Sequence, residues 1–180
     1  RWPSTSINVS GSGGVEAAVN RWPTVSFNHG ASGGIRMGLG YLPVGVCGRA
    51  SWFDYADGIK RGCDVTINTL FYYDSLCKTE DFLMVLTHEV GHCLGIHKHT
   101  TDGGLMSAGY NASNNITTPV KNMLGLLYSL PPGTDISRKL TSGYAKAGQV
   151  GQNWSIEKPL AQLKKKAAPK KAAKKRAKKK

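Results

Sequence analysis

The sequence predicts an α+β fold of five strands and three helices, and three observations carry that reading. Five short segments before residue 69 alternate apolar and polar side chains or are rich in β-branched and aromatic residues. Two later segments repeat apolar residues at helical spacing instead, one running up to Gly95 and one ending at Pro131, Pro132 and Gly133. Clusters of glycine, proline and asparagine separate the segments and supply the turns.

Ser6, Ile7, Asn8, Val9 and Ser10 alternate as a half-buried strand that the glycine-rich run 11–14 breaks. Val15 to Val19, with Trp22, form a short amphipathic helix stopped by Pro23, which cannot donate to a helical ladder. Residues 24–28 and 34–39 read as the next two strands, and after the loop 41–48 the segments 49–53 and 64–68 complete the five. A long helix should start near Thr79 as N-cap, with Glu80 and Asp81 in its electropositive first turn. Leu83, Leu86, Val90 and Leu94 on that helix share a spacing that faces a core. A last helix, from about Pro119 to Leu130, carries Met123, Leu124, Leu126 and Leu127.

A chain of 180 residues suits one domain with an appendage. The net charge of +13 invites a nucleic-acid reading until it is located: residues 164–180 hold ten lysines and Arg176, which leaves +2 for residues 1–163. That Lys/Ala/Pro tail has almost no apolar bulk and repels itself, so it is expected to be disordered, with nucleic acid or an anionic surface as its partner. No apolar run is long enough for a transmembrane helix. A start at Arg1 without a leader suggests a processed or trimmed chain.

The chemistry concentrates in His88, Glu89, Val90, Gly91, His92, Cys93, Leu94 and Gly95. Histidines at i and i+4 share one helix face, so two imidazole nitrogens can converge on one cation. Glu89 lies between them, placed to take a proton from a water held at that cation. Gly95 can adopt the left-handed conformation that ends a helix and returns the chain, and His97 and His99 follow on the returning segment.

This pattern resembles the metzincin metallopeptidases, whose signature is HExxHxxGxxH followed by a methionine turn. One position departs: three residues after Gly95 stands Lys98, whose ammonium has no lone pair to offer a metal. The run His99, Thr100, Thr101, Asp102, Gly103, Gly104, Leu105, Met106 is similar to the HSTDxGxLM segment of the matrixin branch. That registration makes His88, His92 and His99 the zinc ligands, with His97 as the alternative third ligand, Glu89 the catalytic base and Met106 the packed floor under the metal. A glutamate ligand of the gluzincin type is disfavoured, because Glu157 is the only glutamate after Glu89. Asp102 competes weakly as an acidic ligand.

The resemblance covers roughly residues 1–131, read as the catalytic domain, with 132–163 as a linker or partly ordered extension before the tail. It implies a metzincin-like, twisted, mostly parallel five-stranded sheet with an antiparallel edge strand, an active-site helix and a C-terminal helix. The edge strand would be residues 48–53, where a peptide could add as a further strand. Arg49, Ala50 and Ser51 would then touch substrate, and Tyr110 would line the main specificity pocket. The implied activity is zinc-dependent endoproteolysis of protein or peptide substrates by a monomer, secreted or in the cell envelope. No motif indicates structural calcium, although the resemblance allows it. The alternative is an inactive scaffold that grips an extended peptide and is tethered to polyanions by its basic tail.

Four cysteines allow three pairings. Cys47 and Cys63 flank the expected edge strand and its loop, which makes them the first pair. Cys77 and Cys93 would sit at opposite ends of a helix about 24 Å long, so they should not bridge each other, and Cys93 is expected as a buried thiol. His29 is expected on a surface loop. Four Asn-x-Ser/Thr triplets begin at Asn8, Asn111, Asn115 and Asn153.

Overall fold

The computed structural model describes residues 1–11, 14–30, 32–53, 59–74, 77, 80–108 and 113–134, with Asp54 and 152–157 as backbone alone. The basic tail, Thr79 and Tyr110 lie outside these described residues. Elements follow in the order β1 (Ser6–Ser10), α1 (Val15–Val19), β2 (Ser26–His29), β3 (Gly34–Gly40), β4 (Val46–Asp54), β5 (Lys60–Asn68), α2 (Phe82–Leu94), α3 (Thr118–Ser129) and β6 (Gln152–Glu157). His29 therefore ends a strand rather than lying in a loop, and it is exposed.

One sheet carries the fold, in the order β2-β1-β3-β5-β4-β6. The pairs β1/β2, β1/β3 and β3/β5 are parallel, and β4 is antiparallel to β5. The sheet is thus mostly parallel, as expected, but β4 is not its edge. Gln152–Glu157 pairs with the far side of β4, antiparallel, from Trp52 to Val46. Its sequence gave no cue that this segment, part of the stretch read as linker or partly ordered extension, would find its partner 100 residues earlier.

Helix α2 packs against β4, β5 and α1. Its core face is broader than the four positions expected: Leu86, Val90 and Leu94 are buried, Leu83 is half-buried, and every residue from Val85 to Leu94 is enclosed. The helix begins later than Thr79. Asp81 is the N-cap, in extended conformation, and its carboxylate accepts a hydrogen bond from the Met84 amide at 3.0 Å. Asp81 satisfies an amide that has no partner inside the helix, so it works as a cap and not as a first-turn charge. In α3, Leu124 and Tyr128 are buried, whereas Met123 and Leu126 are exposed.

The disulfides are Cys47–Cys77 and Cys63–Cys93, with Cα atoms 5.2 and 5.7 Å apart. The expected Cys47–Cys63 pair fails on strand register. Cys63 lies opposite Trp52 in the β4/β5 ladder, five residues from Cys47, or about 17 Å along the strand, whereas a bridge needs Cα atoms within about 7 Å. Cys93 is bridged rather than a free thiol, and Cys77 and Cys93 do not bridge each other. Cys47–Cys77 ties the start of β4 to the approach to α2, and Cys63–Cys93 ties the last turn of α2 to β5.

Each bridge joins residues separated by 30 positions. Removing the second through Cys63→Ser with Cys93→Ser should therefore lower unfolding free energy by about 2–4 kcal/mol. A fall in the urea midpoint is the readout, and an unchanged midpoint would mean the bridge carries no stability.

Candidate metal centre

The site is built where α2 ends. Gly95 has φ 118°, a conformation that side-chain-bearing residues avoid. A Cβ there would also come within 2.8 Å of Leu127. The Ile96 amide donates to the Gly91 carbonyl at 3.2 Å and the Gly95 amide to the His92 carbonyl at 3.1 Å, the double pairing that closes glycine-terminated helices. A further tight turn follows, with the His97 amide donating to the Gly95 carbonyl at 3.1 Å. The chain then runs past exposed Lys98 to His99.

This path brings His88, His92 and His99 together: one nitrogen of each lies within 4.8 Å of the other two, the one such cluster among the described residues. The Nε2 atoms of His88 and His92 are 3.1 Å apart, close to the separation of about 3.3 Å that two nitrogens take at 2.0–2.1 Å from a tetrahedral ion. Their Nδ1 atoms face carbonyls, that of Leu105 at 2.6 Å for His88 and that of Ile96 at 2.5 Å for His92. A carbonyl can only accept, so each Nδ1 carries the proton and each Nε2 keeps its lone pair for the cluster.

Electrostatics favours neutral rings. Burial lowers His88 to about 4, with the Leu105 hydrogen bond opposing and the nearby His99 assisting. Burial, then His88, lowers His92 well below the ordinary value, and burial alone lowers His99. Three neutral imidazoles that share a space are a donor set suited to a borderline metal such as zinc.

His97 is elsewhere. Its ring stacks on Trp52, centroids 4.5 Å apart, and its Nε2 lies 3.3 Å from the ammonium of Lys60. Burial first, then Lys60 and the chain's N-terminal amine, hold it down to about 3. Lys60 is itself fully buried, over the Trp52 ring, and donates to the His92 carbonyl at 3.3 Å. Neither Lys60 nor Trp52 carries a local motif, so only the strand pairing could reveal this support.

Asp102 is structural in the described geometry. Its carboxylate accepts from Thr100 and Ser107 hydroxyls and the Gly104 amide on one oxygen, and from the Thr117 hydroxyl on the other. Those hydrogen bonds, Thr117 foremost, hold its pKa at about 2. They close the loop on which Leu105 presents its carbonyl to His88. Met106 is fully buried, its sulfur 2.4 Å from where a Cβ on Gly91 would stand, with Trp22 at 2.7 Å. Only a glycine at position 91 lets the helix settle on these two side chains.

Glu89 is fully buried and turns towards β4, since a Cβ on Gly48 would meet its Cγ at 2.9 Å and its Oε1 at 3.0 Å. Of the other sequence-derived contacts, Arg49, Ala50 and Ser51 lie on β4, with Ala50 buried. No protein-family model matches the sequence, and no curated protein matches it.

His99→Ala should weaken zinc binding at least about 100-fold, since losing even a residue that orients a ligand costs 10–100-fold. His97→Ala should change it less than tenfold, and chelator competition decides between them; the opposite ranking would transfer the ligand role to His97.

Acid should destabilise the metal-free protein in a defined window. Above about pH 6.5 His88 is neutral both folded and unfolded, so stability is flat with respect to this group. Between 6.5 and about 4 the unfolded chain takes up a proton that buried His88 refuses, and stability falls by about 3 kcal/mol across the window. Urea unfolding with chelator from pH 7 to pH 4 measures it; a flat profile would contradict a buried neutral His88.

Proposed function

We propose that this chain is a zinc-dependent endopeptidase of the metzincin kind, closest to the matrixins, acting outside the cell or in its envelope. The observation that carries the proposal is the convergence of His88, His92 and His99, with a fully buried Glu89 on the same helix as the first two. Separate signals in the sequence, the two-histidine helix and the displaced His99, meet at one point that a single ion could fill. The two disulfides favour an oxidising compartment. No described helix is long and apolar enough to cross a membrane.

When bound, zinc supplies a Lewis acid and lowers the pKa of a water towards about 7. The protein's part is to hold three neutral imidazoles together, with His88 and His92 in fixed tautomers through the Leu105 and Ile96 carbonyls. Glu89 takes the proton of the attacking water and delivers it to the leaving amine as the peptide bond breaks. Its burial keeps competing bulk water away from that transfer. The peptide would lie along β4, main chain against main chain, past Arg49, Ala50 and Ser51. Tyr110 keeps its proposed place on the specificity pocket wall from sequence alone, and the tail its proposed polyanion partners.

Glu89→Gln keeps size while removing the base, so zinc content should stay near one per chain and cleavage of a denatured protein should drop about 10²–10⁴-fold. Elemental analysis and turnover with and without chelator are the measurements. Near-native turnover by the variant would remove Glu89 from the mechanism. Absence of both zinc and chelator-sensitive cleavage in the parent would leave the peptide-gripping scaffold as the better reading.

A further inference from the structure

We propose that residues 152–157 are a built-in occupant of the peptide-docking side of β4, a tethered strand that must leave before an extended substrate can add there. The inference rests on the endopeptidase reading for its functional meaning, and on the sheet for its geometry. β4 is hydrogen-bonded on one side to β5 and on the other to Gln152–Glu157, both antiparallel. The register sets Trp52 opposite Gln152, Ser51 opposite Asn153, Ala50 opposite Trp154 and Arg49 opposite Ser155. The covered stretch, Val46 to Trp52, includes Gly48, against which Glu89 packs, and β6 also touches α2. The segment therefore lies along the row of main-chain groups beside Glu89.

An extended peptide recognises a sheet edge through its own N–H and C=O groups. Between Arg49 and Trp52, those of β4 that do not face β5 are engaged by β6, so a substrate and β6 compete for one set of partners. The competition is intramolecular. β6 is joined to α3 by residues 130–151 of the same chain, and a tether of modest length sets an effective concentration on the order of millimolar. A strand that binds only weakly as a free peptide is thus mostly docked when tethered. The pairing also slips by one residue between Val46 and Arg49, next to Gly48, so the regular ladder that holds β6 is the short run opposite Arg49 to Trp52. A short ladder is released at modest cost, which suits a strand that yields to substrate.

The test uses the 180-residue chain and its double variant Trp154→Pro/Ser155→Pro. Adjacent residues of a strand point their amides to opposite sides, so one of the two prolines must delete a donor to β4. Alternate amides between Arg49 and Trp52 should exchange hydrogen at least about tenfold faster in the variant, while those of β5 and α2 keep their protection. For a short neutral peptide the KM should fall about threefold or more with kcat unchanged, as expected for loss of a tethered competitor. A free peptide spanning residues 150–159 should restore β4 protection in the variant and inhibit it competitively. Unchanged β4 exchange in a folded variant, or faster exchange with an unchanged KM, would overturn the proposal. If the variant unfolds, the free peptide's mode of inhibition of the parent protein decides, non-competitive or absent inhibition counting against it. If neither protein cleaves any peptide, the endopeptidase reading fails, and exchange with peptide rebinding still decides whether β6 guards β4.

Discussion

The carbonyl end of α2 is the constraint on which the rest of the structure depends. Ending a helix directly after the turn that carries His92 exposes four carbonyls with no partner inside the helix, and here that end is buried. All four are answered, from the returning turn, β5, the amino-terminal segment and α3. The Gly91 carbonyl accepts from the Ile96 amide, and that of His92 from the Gly95 amide and the Lys60 ammonium. The Cys93 carbonyl accepts from the Trp2 indole at 2.9 Å, and that of Leu94 from the Tyr128 hydroxyl at 3.1 Å. A buried carbonyl left alone costs about 1–3 kcal/mol, so the amino-terminal segment, β5 and α3 are drawn to one place by a shared requirement. Tyr128 shows the depth of that place, since burial raises its hydroxyl pKa far above the ordinary phenol range.

The histidine cluster inherits its geometry from this end. Ile96 closes the helix with its amide and turns His92 with its carbonyl. The loop knotted by Asp102 does the same for His88 through Leu105. Ring orientation is thus fixed by main-chain atoms, which cannot swing away as a side-chain partner can. The disulfides hold the same helix at its approach and at its last turn, limiting how far α2 can slide over the sheet.

The choice between His97 and His99 follows from packing rather than spacing. Counting from Gly95 favours neither, because Lys98 occupies the expected position. Trp52 offers a flat face to which His97 stacks, and Lys60 holds that ring from the side. With His97 committed to the wall, the next imidazole on the turning chain is the one that reaches His88 and His92. The third nitrogen of the cluster thus comes from His99, one residue beyond Lys98.

What the sequence determined by itself was local. The i, i+4 histidines, the glycine that must take a positive φ, the apolar spacing of α2 and α3 and the alternation of β1 all express contacts within a few residues, where chain geometry is nearly fixed. The α+β class and the mostly parallel sheet followed from those elements and their resemblance to metzincins. The tertiary structure decided everything that joins distant residues. It put Cys63 opposite Trp52 and so paired it with Cys93, moved the helix cap to Asp81, buried Lys60 against Trp52, and laid residues 152–157 along β4. Register and layer packing decide such contacts, and a one-residue slip in a strand exchanges its two faces; no short window of sequence contains the partner that sets the register.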